Sequence, residues 1–309
     1  MQRKKISIIG AGNIGGTTAH QVIAGNLGDV VLYDVITGFP QGKALDIAQA
    51  APLHDSDSRI IGTNRFDDTE GSDIVIICAG MPRKKGMSRS DLLNTNALVV
   101  KEITQAVAPR SPDAIVIVVT NPLDAMTALA YRVSEFPKER VMGMAGMLDS
   151  TRFRAFIADE LDVSVSNIQA FVLGGHGDSM VPSTRYTTVA GVPVEALIPA
   201  ERLELLVDRT RHAGSDIVAL LETHSAYYAA SVSLAQMCKA IVSDRKLVCA
   251  CSVLCQGQYG IEDTFVGVPI KLGTQGIEEI LEYDLSAAEL AALQASAREV
   301  RDLCAKLQV

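Results

Sequence analysis

Short unbroken aliphatic runs alternate with longer amphipathic stretches through the first half of the chain. The runs predict strands over residues 5–10, 30–34, 59–62, 73–79, 114–120 and 141–144. Apolar positions at helical spacing predict helices over 14–25, 40–51, 91–108 and 122–134. Strands without polar alternation, separated by helices, imply a parallel sheet covered on both faces. The second half changes character. Helical stretches over 149–161, 200–223 and 225–242 mix with expected antiparallel strands over 187–189, 246–254 and 264–270. Near the C-terminus, Ser286 and Glu289 stand in capping-box register. Leu290, Leu293, Ala297, Val300, Cys304 and Leu307 then mark one helical face, expected to pack on the body of the protein. Two closely packed domains follow, over 1–145 and 146–309, because no long linker or low-complexity tract separates the halves.

Composition narrows the class. The chain has 309 residues, 48% hydrophobic and 21% charged, as in an ordinary globular protein with ample core. A net charge of −8 argues against a nucleic-acid surface. The six cysteines are too sparse for a disulfide scaffold, so reduced thiols are expected. The N-terminus is basic, but the apolar run Ile6–Ile9 is too short for export, and the aliphatic run 114–119 is too short to span a bilayer. A cytoplasmic protein without membrane or nucleic-acid partners is expected.

Against this acidic background, the segment from Gly80 to Arg89 carries Arg83, Lys84, Lys85 and Arg89 after a strand. Its glycines and proline forbid a regular element and predict a mobile surface excursion. Taken alone, it is either a solvated basic loop or a lid over a small anion, since arginine suits carboxylate and phosphate.

Gly10-Ala11-Gly12-Asn13-Ile14-Gly15 is a G-x-G-x-x-G at a strand–helix junction. Gly10 serves the tight turn, Gly12 the approach of a pyrophosphate, and Gly15 close helix–strand packing. The amides around Asn13 and Ile14 open the helix towards phosphate. Asp34 ends the second strand nineteen residues after Gly15, at the spacing that suits ribose hydroxyls. Its charge would repel a 2′-phosphate, and Val35-Ile36 offers no arginine for one, so NAD is favoured over NADP.

Among five histidines, His176 is singled out by its setting, Leu173-Gly174-Gly175-His176-Gly177-Asp178. Asp149 and Arg152 lie three apart and share a helical face. A carboxylate beside an imidazole fixes its tautomer and suits it to acid–base work, and an arginine fork suits a substrate carboxylate. Asn121 adds a polar side chain at the carboxyl end of a parallel strand, where open sheets place ligands. A structural turn histidine and an ordinary ion pair remain possible from these residues alone.

Together, the motifs resemble the lactate/malate dehydrogenase family, in its lactate-dehydrogenase-like bacterial malate dehydrogenase branch. The similarity runs through Ile9–Gly15, Met81–Arg89, Thr120–Asp124, Gly143–Asp149, Leu173–Gly177, Gly257–Gly260 and Phe265–Pro269. It implies an N-terminal Rossmann doubly wound parallel sheet, a C-terminal α+β substrate domain, and a homodimer or homotetramer. It implies that His176 accepts the proton, oriented by Asp149, and that Arg152 holds the carboxylate beside the reacting carbon. Arg89 would polarise the carbonyl as the loop closes, and Asn121 would position substrate and nicotinamide. Arg83 would pair with the second carboxylate of malate or oxaloacetate, a place usually held by glutamine in the lactate branch. His224 and Ala230 depart from the glycine and proline of many relatives, beside the expected substrate pocket. Two rivals stay open: another 2-hydroxyacid dehydrogenase, or a non-catalytic NAD-binding sensor using Cys249, Cys251 and Cys255. On a strand those three cysteines share one face, which favours packing over metal binding.

Overall fold

Every predicted strand of the first half forms, four of them trimmed at their ends and two, at 30–34 and 59–62, shifted by one residue. In the computed structural model, which describes residues 3–81, 89–222 and 225–307, the order is β1 (Lys5–Ile9), α1 (Asn13–Ala24), β2 (Asp29–Tyr33), α2 (Phe39–Ala50), β3 (Ile60–Thr63) and β4 (Ile74–Ile77). Then follow α3 (Arg89–Val107), β5 (Ile115–Val118), α4 (Leu123–Ser134), β6 (Val141–Gly143) and α5 (Gly146–Leu161). The rest comprises β7 (Ile168–Leu173), β8 (Val181–Val189), β9 (Val192–Pro193), α6 (Ala200–Leu221), α7 (Tyr228–Val242), β10 (Leu247–Cys255), β11 (Thr264–Gly273), β12 (Gly276–Ile280) and α8 (Ala287–Cys304).

Strands β3-β2-β1-β4-β5-β6 lie side by side and run parallel. Both faces are buried, and the two-residue period of a strand divides the core. Ile74 and Ile76 of β4 join one apolar cluster with Ile6, Val22 and Leu234, whereas Val75 and Ile77 join another with Val100, Val118 and Met126. The order in which strands follow one another along the chain reverses between β1 and β4, and Gly10 and Ala79, just past their carboxyl ends, lie against each other there. That crevice is where open α/β sheets take ligands.

The second half is more elaborate than expected. Strands β10, β11 and β12 extend the first sheet, with β10 paired antiparallel to β6 at Ser252 and Gly143, giving nine strands, while β7, β8 and β9 form a separate antiparallel sheet of three. The short strand expected over 187–189 begins at Val181, because Pro182 and the polar Ser183–Thr188 stretch conceal it. Strands β7, β9 and β12 are additional, and the helix expected from Ser225 starts at Tyr228. The C-terminal helix has both hydrogen bonds of its capping box, and Leu293, Ala297 and Val300 are buried along it.

Candidate active site and nucleotide cleft

Asp149 sits in the first turn of α5, where the helix dipole favours a carboxylate. It is 1% exposed and binds two groups. One oxygen lies 2.7 Å from His176 Nδ1, and the other accepts from Arg152 Nη1 at 3.1 Å. Asp149 therefore holds the imidazole proton on Nδ1 and leaves Nε2 to exchange a proton. Burial pulls the His176 pKa down, but the Asp149 charge and hydrogen bond overcome it, with Asp124 adding and Arg152 opposing, so the net shift is upward. Arg152 Nε is buried without a partner, which leaves the guanidinium with unused donor capacity for a carboxylate.

The glycines around His176 are pinned from several sides. Gly174 exchanges backbone hydrogen bonds with Gly267 of β11 at 2.8 and 3.1 Å, and the Gly175 amide donates to Ser296 Oγ of α8 at 2.8 Å. The His176 amide donates to Asp124 Oδ2 on α4 at 2.8 Å. Because Asp124 lies three residues beyond Asn121, this contact brings Asn121 and the histidine to one end of the sheet.

At the β1–α1 junction, Gly10 adopts φ +107°, and a Cβ on Gly15 would fall 1.8 Å from the Gly10 carbonyl oxygen. A Cβ on Gly12 would meet nothing within 4 Å. Gly12 and Asn13 are exposed, Ile14 is half-buried, and no side chain caps the start of α1. Asp34 accepts from the Ala11 amide at 2.8 Å and the Ile36 amide at 3.1 Å, so it braces the glycine turn. These observations fit a dinucleotide: an uncapped helix start for the pyrophosphate, an open approach over Gly12, and a carboxylate beside it for a ribose.

The chain matches a model of the lactate/malate dehydrogenase NAD binding domain over residues 4–143, and one of the lactate/malate dehydrogenase alpha/beta C-terminal domain over 146–308. The chain belongs to the lactate/malate dehydrogenase family. A malate dehydrogenase of Chloroherpeton thalassium is 55% identical, covering 98% of each chain. The structure of a malate dehydrogenase from Salinibacter ruber superposes with a TM-score of 0.94 at 49% identity, over 98% of this chain and 97% of that one. A lactate dehydrogenase from Cryptosporidium parvum, solved with lactic acid and nicotinamide adenine dinucleotide, gives a TM-score of 0.95 at 42% identity, over 99% and 98%. Backbone shape is thus shared by members that act on different substrates. The nicotinamide cofactor is NAD, held by the N-terminal part of the chain.

Arg83 and His224 lie outside the described residues, as does the loop over 82–88; Arg89 opens α3, with its side chain outside the description. Ala230 is buried in the main apolar cluster at 3% exposure.

Three residues of the site escaped the sequence reading. Asn96 accepts from the Met81 amide at 2.8 Å and donates to the Asn121 carbonyl at 2.7 Å, tying the base of the loop to the Asn121 segment. Lys43 reaches from α2 to donate to the Gly12 carbonyl at 3.1 Å, a cation beside the cleft that helical spacing could not place. Asp124 is the third; its position in the Thr120–Asp124 motif was a signal, but nothing in its spacing pointed to His176. Cys249, Cys251 and Cys255 are buried on β10, with the first two sulfurs 3.8 Å apart, as packed side chains on one face. Burial pushes the Cys255 thiol up to about 12. A cavity of about 410 Å³ lies at the opposite, amino end of the strands near Lys4, Asp73 and Arg140, and holds none of this set.

Proposed function

We propose that this chain is an NAD-dependent malate dehydrogenase that reversibly oxidises (S)-malate to oxaloacetate. The observation that carries the reading is the buried carboxylate of Asp149, bonded to both His176 and Arg152 at the carboxyl end of the parallel strands. NAD, when bound, would supply the acceptor for the hydride of C2. His176 Nε2 takes the hydroxyl proton, and the Nδ1–Asp149 bond stabilises the imidazolium that results. Arg152 orients the carboxylate next to the reacting carbon through its unused donors. Arg89 stabilises charge on the carbonyl oxygen in reduction, Asn121 positions substrate and nicotinamide, and Arg83 recognises the second carboxylate. Gly10, Gly12, Asn13, Ile14, Gly15 and Asp34 form the cofactor cradle.

The kinship with lactate dehydrogenase makes substrate choice the point to test. Oxaloacetate should exceed pyruvate in kcat/KM with NADH; a preference for pyruvate overturns the malate reading. Arg83→Gln should erode that preference by about 10- to 100-fold, the scale of one charged hydrogen bond at roughly 1.5–3 kcal/mol. Unchanged selectivity would assign Arg83 no part in recognition.

The direction of the His176 shift also predicts a pH profile. Oxidation needs the neutral imidazole, so kcat/KM for malate should fall on acidification through a midpoint above the ordinary histidine value of about 6.5. Oxaloacetate reduction needs the protonated form and should decline as pH rises through that group. Profiles measured in both directions with saturating cofactor check this; an acid limb below the ordinary value contradicts it.

The same reading divides the chain into a cofactor domain over 1–145 and a substrate domain over 146–309. It assigns a cytoplasmic homodimer or homotetramer. Among the described residues no helix is long and apolar enough to cross a membrane.

A further inference from the structure

Asp124 is a carboxylate that the reaction just described does not use, yet it lies directly behind the group that moves the proton. It stands in the first turn of α4 and is 5% exposed. Its Oδ2 accepts the His176 backbone amide at 2.8 Å, and its Oδ1 accepts the Ser252 hydroxyl at 2.6 Å. One side chain thus joins α4, the β7–β8 loop and β10. Burying a carboxylate is costly, and a neutral asparagine could make both bonds, accepting from the amide and donating to the serine oxygen. Hydrogen bonding alone therefore gives no reason for an acid at this position.

The local charge balance does. The charged groups acting on His176 are Asp149 and Arg152 from α5 and Asp124 from α4, while Ser252 of β10 and Ser296 of α8 contribute neutral hydroxyls. Cys304 of α8, which Asp124 and Arg132 also influence, is pushed up to about 11 by burial and stays a neutral thiol near pH 7. Asp149 is shared with Arg152, which opposes an imidazolium at His176, and Asp124 places a second negative charge behind the same loop. We propose that Asp124 is a positioning residue that fixes the His176 backbone and adds to Asp149 a second negative charge stabilising the imidazolium formed in catalysis. The proposal rests on His176 being the proton acceptor. Burial raises the Asp124 carboxyl pKa, and the Ser252 and His176 hydrogen bonds offset only part of that rise, so its ionisation is the quantity to measure.

Asp124→Asn keeps both hydrogen bonds and removes the charge. The test is an NMR titration of the His176 ring in the full-length protein, alongside the pH profile of malate oxidation. The His176 midpoint should fall by about one pH unit, the low end of the effect of a nearby opposite charge. Reduction of oxaloacetate above both midpoints should fall about tenfold with the protonated fraction. An unchanged midpoint in a folded Asp124→Asn protein overturns the proposal. A second measurement needs no variant: the ¹³C shift of the Asp124 carboxyl in the unaltered protein should report an ionised group while His176 titrates. A carboxyl that stays protonated throughout also overturns it. The ring titration does not depend on turnover, so these outcomes stand apart from a failure of the malate reading, which substrate kinetics and His176→Asn report.

Discussion

His176→Asn is expected to lower turnover of malate and oxaloacetate by about 10²- to 10⁴-fold, the usual contribution of a positioned general acid–base. Asparagine has no group that titrates near neutrality, yet its amide can still donate to Asp149. The loop should keep its place, because the bonds that hold it come from backbone atoms: Gly174 to Gly267, Gly175 to Ser296, and the residue-176 amide to Asp124. Cofactor affinity should therefore stay within about twofold, since the glycine turn and Asp34 are untouched. Titration with NADH, read by the cofactor's own fluorescence, separates a binding defect from a chemical one; the chain's lack of tryptophan leaves that signal uncrowded. Normal NADH binding with undiminished turnover would remove His176 from the mechanism.

How much of this was legible in sequence depends on the range of each interaction. The strand β4 was plain because its residues are apolar on both faces, and the glycine turn because its constraint is local: Gly15 must be glycine to clear the Gly10 carbonyl five residues earlier. Asp149 and Arg152 could be paired from their spacing on one helical turn, and the structure gives that bond at 3.1 Å. Asp149 and His176 are 27 residues apart, and no periodicity relates them; the motifs and their family resemblance joined them. Contacts that neither spacing nor motif relates leave no trace in the sequence. Lys43 meets Gly12 across 31 residues, and Asp124 meets Ser252 across 128. The continuity of the sheet was hidden for the same reason, since it hangs on the pairing of Ser252 with Gly143. Strand β8 was cut short because its polar residues weaken the two-residue alternation that betrays a strand.

The cofactor cradle yields the second large effect, as a contrast between two glycines three residues apart. Gly15→Ala would place a methyl 1.8 Å from the Gly10 carbonyl oxygen, with Ile8 a further neighbour at 3.3 Å. The first obstacle is backbone, so no rotamer change relieves it, and α1 must move away from β1. Overpacking of this kind costs about 3 kcal/mol. In a chain of this size the Tm should drop by roughly 5 °C. NADH binding should weaken as well, because the displaced α1 start carries the amides assigned above to the pyrophosphate. Gly12→Ala should behave differently. Its methyl meets nothing within 4 Å, and the backbone there, at φ −61°, is outside the left-handed region, so the Tm should stay near that of the parent. The methyl would instead occupy the face over which the pyrophosphate approaches, and NADH affinity should fall by about 10- to 100-fold. Thermal melts of both variants, with and without NADH, test the pair. A Gly12→Ala protein that keeps full affinity would show that the cofactor does not cross that face, whereas equal melting temperatures for the two variants would show that the strand–helix contact at Gly15 can yield.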